Sequence, residues 1–330
     1  MPEFVQPVDA TELAQFCALP GTSEFAPSNL PDADEHWMVR DRDAAQARCS
    51  LWWTSTPRVG GKRTGYIGHY GAAERAVARD LLRHAARRLS QQGCELAIGP
   101  IDGSTWKRYR LLSERGSEPS FFLEPDNPDD WPSHFTEAGF QAFAHFSSAG
   151  DNDLHVRDPR AQELAARMSG LGVRIRTMNP DAFTEELKRI YSVSIESFKN
   201  NLLYTPLSQA ECIAMYEPLR HYIRPELVFI AERGAQPVGF AFSVPDWLQA
   251  KRGVEIDTLI VKTLAIVPQR ELSGLGGLLL DSCRARAAEL GYRRAIHALM
   301  YDGNVGSRRL SDRFGMPIRG YTLYALALAS

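Results

Sequence analysis

Hydrophobic positions in the second half of the chain follow two spacings, one typical of strands and one typical of helices. Residues 256–267 form a run rich in β-branched side chains, which favour the extended conformation of a strand. Farther along, Leu275, Leu278 and Leu279 begin a series of apolar positions near the helical period. Residues 293–300 are mostly apolar after Arg294, over a length that suits a short buried strand. The pattern therefore predicts a strand, a glycine-rich connection, a helix and a second strand.

Further elements are predicted on both sides of this unit. Residues 180–200 and 207–222 have helical spacing, with Asn179 and Ser208 as candidate N-caps. The other predicted elements are a strand at 172–178, a hairpin with arms at 226–232 and 237–244, a helix at 305–314, and one or two closing strands at 318–328. This order of elements predicts an α/β fold of the α+β type, built on a mixed sheet.

Two stretches of the chain resemble each other at an offset of about 198 residues. Residues 81–103 read LLRHAARRLSQQGCELAIGPIDG, and residues 279–303 read LLDSCRARAAELGYRRAIHALMYDG. Both begin with Leu-Leu, carry a glycine before an Ala-Ile pair, and end with Asp-Gly, the second after a short insertion. A repeat of this length is too long for a solenoid unit and indicates two related domains in tandem.

The length of the chain supports the same division. Its 330 residues suit two domains of roughly 150 residues each. We predict a first domain at residues 1–150, a linker at 151–171 and a second domain at 172–330. Hydrophobic residues make up 44% of the chain, enough for each domain to bury a core.

Charge and cysteine content argue against several classes of function. Lysine and arginine number 38 against 40 acidic residues, so no overall field attracts nucleic acid or an anionic membrane. The five cysteines are widely spaced, which indicates free thiols in a reducing compartment and no zinc site. No secretory signal is visible, and no apolar run approaches the roughly 20 residues of a membrane span. We therefore expect a cytoplasmic protein without a metal or a membrane partner.

A basic stripe in the first domain leaves one question about partners open. It consists of arginines at every fourth position of the predicted helix at 72–92: Arg75, Arg79, Arg83 and Arg87. Such a stripe is usually a solvated helix face. The alternative is a site for an anionic partner such as tRNA, which the near-neutral net charge disfavours. Nucleic acid is therefore not an expected partner, and the sequence leaves the oligomeric state open.

The connection between the long strand and the next helix is the main candidate site. Its residues are Leu272, Ser273, Gly274, Leu275, Gly276 and Gly277. Glycines let a ligand approach the backbone closely. The N–H groups of the first helical turn, together with the helix dipole, attract a pyrophosphate. The alternative is a tight turn that only packs the helix on the strand.

At these residues the second half of the chain resembles the GNAT superfamily of N-acetyltransferases. In that family a strand ends in a V-x-P-like sequence, and an R/Q-x-x-G-x-G/A loop binds the pyrophosphate of coenzyme A. Here the strand ends near Pro268, and residues 271–276 occupy the loop positions. Asn304 and Ser307 match the family's next feature, an asparagine and a small residue that precede a glycine-ended helix. The resemblance covers roughly residues 172–330.

The resemblance implies a co-substrate and a set of residues that bind it. The co-substrate is acetyl-CoA or another acyl-CoA. Besides the glycine-rich residues named above, the implied cofactor-binding residues are Leu264, Ala265, Ile266, Arg270, Asn304 and Ser307. In the family, a backbone N–H group of the strand before the loop binds the thioester carbonyl, which implicates the first three of these residues.

The chain departs from the family pattern at several positions. Glu271 stands where the family usually has arginine or glutamine, so Arg270 is the candidate for the charge role. Ser311 lies near the position where the family often has a tyrosine that protonates the leaving thiolate. In the first repeat, Ala76 and Ala78 replace the two glycines of the loop. Because methyl groups would obstruct a phosphate, we predict that the first domain is a degenerate copy without cofactor.

Acyl transfer needs a base for the acceptor amine and an acid for the thiolate. Glu255 and Asp257 begin the long strand and are candidate bases, with His297 on the next strand as a further candidate. Tyr324 is the candidate acid. Each has a structural alternative: solvated carboxylates at a strand end, a core histidine with its hydrogen bonds satisfied, or an ordinary packed tyrosine. Lys262, on the cofactor strand, either neutralises an acceptor carboxylate or faces solvent.

The acceptor site is expected near the loop at residues 198–206, which lies over the acceptor in the family. Trp106 and Tyr109 of the first domain are candidates for the far side of the cleft. The leading hypothesis is an N-acyltransferase that uses acetyl-CoA or another acyl-CoA and acts on an amine of a small molecule or peptide. The alternatives are a non-catalytic acyl-CoA-binding module with a regulatory role and an aminoacyl-tRNA-dependent transferase.

Overall fold

The computed structural model describes residues 3–30, 32–41 and 44–329. Residues 1, 2, 31, 42, 43 and 330, which the predicted domains include, lie outside the described residues. The strands are β1 (Glu3–Val5), β2 (Glu35–Asp41), β3 (Ala44–Trp52), β4 (Thr64–Ala72), β5 (Leu96–Gly99), β6 (Leu111–Glu114), β7 (Gln141–Asp151), β8 (Val173–Thr177), β9 (Val228–Arg233), β10 (Gln236–Pro245), β11 (Thr258–Ile266), β12 (Arg294–Tyr301) and β13 (Met316–Ala327).

The structure has nine helices among the described residues. They are α1 (Ala10–Ala18), α2 (Arg75–Gln91), α3 (Trp131–Glu137), α4 (Ala161–Gly170), α5 (Phe183–Phe198), α6 (Gln209–Tyr216), α7 (Trp247–Lys251), α8 (Leu275–Glu289) and α9 (Val305–Ser311). The sequence pattern predicted no helix at the positions of α1, α4 and α7. Ser208 caps α6 as predicted: its side chain accepts from the Glu211 N–H, and the Glu211 carboxylate accepts from the Ser208 N–H at 2.8 Å. Short 3-10 turns lie at Pro27–Asn29, Pro180–Ala182, Glu217–Tyr222, Pro225–Leu227 and Arg270–Leu272.

One mixed sheet runs through both halves of the chain, and its two halves mirror each other. The strand order is β1-β2-β3-β4-β5-β13-β7-β12-β11-β10-β9-β8, with β6 pairing on β13. Each half contains one parallel pair, β4 with β5 and β11 with β12. In both halves the first strand of the parallel pair runs into the long helix that precedes the second, α2 or α8. This arrangement confirms the α/β fold with a mixed sheet and the tandem organisation that the repeat predicted.

The two halves exchange their last strands. The C-terminal strand β13 pairs with β5 of the first half, and β7 pairs with β12 of the second half. β7 and β13 also pair with each other in antiparallel register, from Met316↔Gly150 to Ala325↔Gln141. The exchanged strands cover β5 and β12, so neither is an open sheet edge, which would attract wrong partners. The divisions at residues 150 and 172 remain a prediction, because strands from both predicted domains complete each half.

Helices cover the C-terminal part of the sheet on both faces. Phe240 and Phe242 of β10 pack against the apolar stripe of α5. Ala241, between them, points to the other face and packs against Leu275 of α8. The face that carries α5 is the one on which the pocket described below opens.

The predicted linker contains an element that the sequence pattern did not reveal. Residues 161–170 form helix α4, which packs on α8. Its apolar stripe is short, with Met168 as the only buried position, so helical periodicity gave little signal. Among the described residues, no helix is long and apolar enough to cross a membrane.

Candidate functional site

The parallel strands β11 and β12 separate at their C-terminal ends. They pair from Thr258↔Arg294 to Val261↔His297, although β11 continues to Ile266. Beyond His297, β12 bends toward β7 through an irregularity at which Leu299 adopts a left-handed backbone with φ 61°. In the described part of the chain, the β12-facing edge of β11 therefore has no strand partner after Val261. This leaves a cleft between the two strands.

The glycine turn lies at the end of this cleft and starts helix α8. Gly274 is the N-cap residue and has φ +90°, a conformation that glycine adopts without strain. A Cβ atom at this position would lie 2.7 Å from Leu164 of α4. The Arg167 guanidinium donates a hydrogen bond to the Ser273 carbonyl oxygen and holds the turn from outside. The positive φ of Gly274 and the close approach to Leu164 show why the turn needs a glycine here.

Three backbone donors at the start of α8 are free. Within the described residues, no hydrogen bond is formed by the N–H groups of Leu275, Gly276 and Gly277, and intrahelical bonding begins at Leu278. Gly276 has a helical backbone, and a Cβ atom there would meet Leu310 at 3.6 Å, an ordinary contact. Free N–H groups at a helix N-terminus are an anion site.

The other predicted loop residues have mixed surroundings. Arg270 and Ser273 are exposed, whereas Leu272 is buried in the core beneath α8. Glu271, the departure from the family pattern, forms an ion pair with Arg233 at 3.2 Å. Its carboxylate is therefore neutralised within the protein.

On β11, the three predicted residues before the turn alternate in direction. Ala265 is buried among the residues that face α5. Leu264 and Ile266 pack among the residues that face α8. Their backbone lies along the part of β11 that β12 leaves unpaired.

Asn304 and Ser307 lie at the start of helix α9. The Asn304 side chain accepts a hydrogen bond from the Ser307 N–H at 3.2 Å, so it caps the helix. Asn304 is exposed and also lines the pocket described below.

The predicted bases lie at the opposite end of β11 from the glycine turn. Asp257 accepts hydrogen bonds from the Gln249 amide at 2.7 Å and from the Thr258 hydroxyl at 2.9 Å. Burial favours a higher pKa for Asp257, but these two hydrogen bonds together with the charges of Arg293 and Arg294 lower that pKa. Glu255 is exposed. Neither residue lines the pocket, so their positions do not support the predicted role.

His297 lies on the side of the sheet that carries α8 and α9. Its Nδ1 is 3.2 Å from the Ser311 hydroxyl, and its Nε2 is 3.9 Å from the Asp151 carboxylate, which binds Arg284. Burial lowers the pKa of His297 to about 4, with Arg284 contributing to the decrease. The imidazole is therefore neutral at pH 7 and belongs to a buried polar network outside the pocket.

Tyr324 lies in the core of the N-terminal half. It pairs with Gly99 of β5 and stacks on Phe135, with ring centroids 5.4 Å apart. The strand exchange causes this position, since β13 joins the first half of the sheet. Tyr324 does not line the pocket, and its position does not support the role of thiolate acid.

A pocket of about 520 Å³ opens between the two halves, on the α5 side of β11. Its walls are largely aromatic. The aromatic residues are Trp106, Tyr109, Phe122, Phe146, Phe198, Tyr204, Tyr216, Tyr222, Phe240, Phe242 and Tyr301. As the sequence suggested, Trp106 and Tyr109 line it together with the loop at residues 198–206. Trp106 joins the two halves here, because its indole N–H donates to the Thr205 carbonyl at 2.8 Å.

Two cations lie in this apolar wall. Lys262 follows directly after the last β11–β12 pair, and its ammonium is 3.4 Å from the Leu123 carbonyl oxygen. Burial lowers the pKa of Lys262 to about 7, and the guanidinium groups of Arg110 and Arg108 add to the decrease. Arg110 is buried, with its guanidinium carbon 4.2 Å from the Tyr109 ring centroid. The sequence drew attention to Lys262, but it gave no sign that Arg110 is buried.

The corresponding cleft of the N-terminal half is closed by its own chain. β4 and β5 pair only from Thr64 to Tyr66, as β11 and β12 do at their start. Residues 100–103 then fill the gap: the Ile101 N–H donates to the Ile67 carbonyl at 2.8 Å. A Cβ atom at Gly68 would lie 2.2 Å from the Ile101 carbonyl oxygen. The closed cleft agrees with the predicted degeneracy of the first copy.

Comparison with known proteins gives a consistent family assignment. The family model of the acetyltransferase (GNAT) family matches residues 187–316. Protein YghO of Escherichia coli (strain K12) is 22% identical over 295 residues, covering 80% of this chain and 74% of that protein. Bacterial ceramide synthase of Caulobacter vibrioides (strain NA1000 / CB15N) is 20% identical over 315 residues, covering 87% and 81%.

A solved structure extends the similarity to the whole chain. A tandem GNAT protein from the clavulanic acid biosynthesis pathway, solved without AcCoA, matches with a TM-score of 0.50 and 12% identity. The match covers 100% of both chains, and at this identity it shows a shared fold. The segment matched by the family model begins in α5 and ends at the first residue of β13, so it includes the open cleft and the glycine turn. The C-terminal half of the chain therefore matches the acetyltransferase (GNAT) family over residues 187–316, and the whole chain shares the fold of a tandem GNAT protein.

Proposed function

We propose that this protein is an acyl-CoA-dependent N-acyltransferase whose C-terminal half binds the co-substrate, with acetyl-CoA as the first candidate. One observation carries the proposal. Among the described residues, three N–H donors are free at the start of α8, and the pocket is lined by Lys262 and Thr263 of β11 and by Tyr301 of β12, the two strands that border the cleft. A pyrophosphate at the donors and a thioester beside β11 would place the acyl group at the mouth of the pocket.

The proposed reaction uses few protein groups. The acceptor nitrogen attacks the thioester carbonyl carbon, a C–N bond forms, and the C–S bond breaks. The oxygen gains negative charge in the transition state, and a backbone N–H group of residues 264–266 is positioned to stabilise it. The nitrogen loses a proton and the coenzyme A thiolate gains one. Because the thioester is already activated, positioning supplies much of the rate.

Tyr301 is the proposed acid for the leaving thiolate. It is the last residue of β12, lines the pocket, and lies beside Phe146 with ring centroids 5.3 Å apart. Its position beyond the last β11–β12 pair puts it on the side of the cleft opposite Lys262. It replaces Tyr324, which the strand exchange removes from the pocket. A phenol in reach of a thiolate can supply its proton by general-acid catalysis.

The pocket favours an acceptor amine with an apolar body. Its walls are aromatic and aliphatic, and a volume of about 520 Å³ accommodates a drug-sized molecule. One relative is named a bacterial ceramide synthase, and a ceramide is an N-acylated long-chain amine. A long-chain amine is therefore a second candidate acceptor, and the apolar walls are the observation that favours it.

An aminoacyl-tRNA-dependent reaction has less support. Two arginines of the basic stripe are engaged within the protein: Arg75 forms an ion pair with Glu137 at 3.1 Å, and Arg83 donates to the Glu137 carbonyl oxygen. A non-catalytic acyl-CoA-binding module would need the same cleft, so only activity separates it from an enzyme.

Two measurements test the proposal. The first is calorimetric binding of coenzyme A to the full chain, with dephospho-coenzyme A as a second ligand. The second is the release of free thiol from acetyl-CoA and butyryl-CoA in the presence of a panel of apolar amines. Binding with thiol release supports the enzyme. Binding without release from any amine favours the non-catalytic module, and the absence of binding refutes both.

A further inference from the structure

We propose that the pocket contains a subsite for a carboxylate or phosphate group of the acceptor, formed by Lys262 and Arg110, with Arg108 at its rim. The acceptor would then be an amine that also carries an anionic group and an apolar side chain, such as an aromatic amino acid. This inference rests on the proposed function, because it names the substrate class of the same pocket.

The pocket wall is positively charged. Four cationic side chains line the pocket: Lys107, Arg108, Arg110 and Lys262. Among the described residues that line it, none is acidic. A pocket built for an amine without other charges would gain nothing from four positive charges, since an ammonium would be repelled. Complementarity of charge therefore favours a ligand with a negative group.

Arg110 is a buried cation without a counter-ion among the described residues. Its side chain is buried, with 6% of the residue exposed, and its Nε has no hydrogen-bond partner among the described residues. One terminal nitrogen donates to the Tyr109 hydroxyl at 2.9 Å, and the guanidinium carbon lies 4.4 Å from the Phe146 ring centroid. Burying a charge without a counter-ion is costly, so natural proteins usually pair it. An anionic ligand in the pocket would supply the missing partner.

Glu124, the carboxylate that interacts electrostatically with Lys262, is already engaged. Glu124 accepts from the Arg319 guanidinium at 3.0 Å and from the Tyr321 hydroxyl at 2.5 Å. Arg319 is itself buried, and the described residues contain no ion pair that involves Arg110 or Lys262. Glu124 therefore does not neutralise the two pocket cations by direct contact.

Lys262 lies close to the proposed reaction centre. It precedes Leu264, where the proposed site of the thioester carbonyl begins, by two residues, which is about 7 Å of extended backbone. Its ammonium lies on the pocket side, 3.4 Å from the Leu123 carbonyl oxygen. An anion at Lys262 and an amine at the carbonyl carbon can therefore belong to one small acceptor molecule. A small amino acid fits this arrangement better than an acceptor whose carboxylate lies at the end of a long chain.

Direct binding tests the subsite without the transfer reaction. The ligands are N-acetyl-phenylalanine, a product-like anion, and N-acetyl-phenylalaninamide, its neutral isostere, each titrated into the full chain. The variants are Lys262→Met and Arg110→Met, and the control is Arg87→Met, which removes one exposed charge on α2. We expect the wild type and the control to bind the anion at least tenfold more tightly. Each pocket variant should reduce this preference to less than threefold.

The outcomes are separable from those of the proposed function. Equal affinity of the wild type for the two ligands, or an unchanged preference in both variants, overturns the subsite. If Arg110→Met does not fold, Lys262→Met and Arg110→Lys decide, and the latter should retain the preference. Failure of coenzyme A to bind would overturn the proposed function, but it leaves this ligand pair as a valid test of the pocket.

A kinetic comparison identifies which reactant carries the anion. One arm compares phenylalanine with phenethylamine as acceptors of an acetyl group. The other arm compares succinyl-CoA with butyryl-CoA as donors to phenethylamine. A tenfold or larger kcat/KM preference for phenylalanine supports the assignment to the acceptor. A preference for succinyl-CoA alone would assign the anion to the acyl chain and overturn the acceptor class proposed here.

Discussion

Gly276 allows the proposed coenzyme A site to be tested through charge, because the fold has room for a side chain there. A Cβ atom at this residue would lie 3.6 Å from Leu310, 3.7 Å from Leu264 and 3.8 Å from Ile266, all ordinary contacts. Gly274 does not offer this test, since its positive φ and its 2.7 Å approach to Leu164 would confound binding with folding. The test set is Gly276→Ala, Gly276→Gln and Gly276→Glu.

The expected effects follow from sterics and electrostatics. The family pattern accepts glycine or alanine at this position, so Gly276→Ala should bind coenzyme A within about threefold of the wild type. Gln and Glu occupy the same volume, and their difference isolates the charge. With a carboxylate about 6 Å from each phosphate and an effective dielectric constant of about 40–80, each pair of charges costs roughly 0.7–1.4 kcal/mol. Because the pyrophosphate has two phosphates, Gly276→Glu should bind coenzyme A about tenfold to hundredfold more weakly than Gly276→Gln.

Calorimetric titration of coenzyme A at low and high salt measures this difference. The Glu–Gln difference should shrink at high ionic strength, because exposed charges are screened. The control is Ala76→Glu, which adds the same charge at the exposed first turn of α2, where no effect on the Kd is expected. Circular dichroism and Tm of each variant establish folding. Equal affinities of folded Gln and Glu variants would refute a pyrophosphate at this turn.

Four further outcomes are expected. Tyr301→Phe should lower kcat about tenfold or more and leave the Kd for coenzyme A unchanged. If the chemical step limits kcat and kcat is nevertheless unchanged in this variant, Tyr301 is not the acid. The preference for the anionic ligand should weaken as the pH rises through about 7, because Lys262 loses its proton there, and Lys262→Arg should abolish this pH dependence. The charged groups that face Lys262 are Arg110, Arg108 and Glu124. Because the pKa of His297 is low, the unfolded chain binds a proton between about pH 6.5 and 4 that the folded chain does not bind. The free energy of unfolding should therefore fall as the pH decreases through this range. The decrease should be smaller in the variant His297→Gln. Residues 172–330 expressed alone lack β7 and should be less stable or more prone to association than the full chain, as sedimentation and thermal melts would reveal.

Much of the fold could be predicted because its elements are set by local patterns. The hairpin of β9 and β10, the strand β11 and the helix α8 all lie within two residues of the predicted bounds, since each has its own periodicity or turn signal. The partners of β7 and β13 could not be predicted in the same way. Both strands are apolar enough to border either β5 or β12, and strand pairing is a choice between segments far apart in the chain. The exchange therefore had no local signal.

The same distinction explains the candidate site. The glycine turn depends on neighbouring residues, so its sequence predicted a strand, a turn with free N–H groups and a helix. Tyr324 was predicted near the thiolate from its place in the closing strands of the second half, and the non-local exchange puts it in the core of the first half. Arg110 was missed for a related reason. Its burial requires Tyr109, Phe146 and Tyr321, which come from three separate segments, to surround one guanidinium.

The first half, whose cleft is filled by its own chain, has a direct part in the proposed site, and one segment explains how. Ile101 and Asp102 fill the cleft between β4 and β5, where Asp102 accepts from the His69 N–H at 2.6 Å. Only a few residues later, Trp106 and Arg110 form a wall of the pocket at the open cleft of the other half. Residues 100–103, which fill the cleft between β4 and β5, therefore fix the start of a segment whose later residues line the pocket beside the cleft of the C-terminal half. A first half with an open, cofactor-binding cleft would lose this anchor, so the degeneracy of one copy and the shape of the acceptor pocket in the other are linked through residues 100–110.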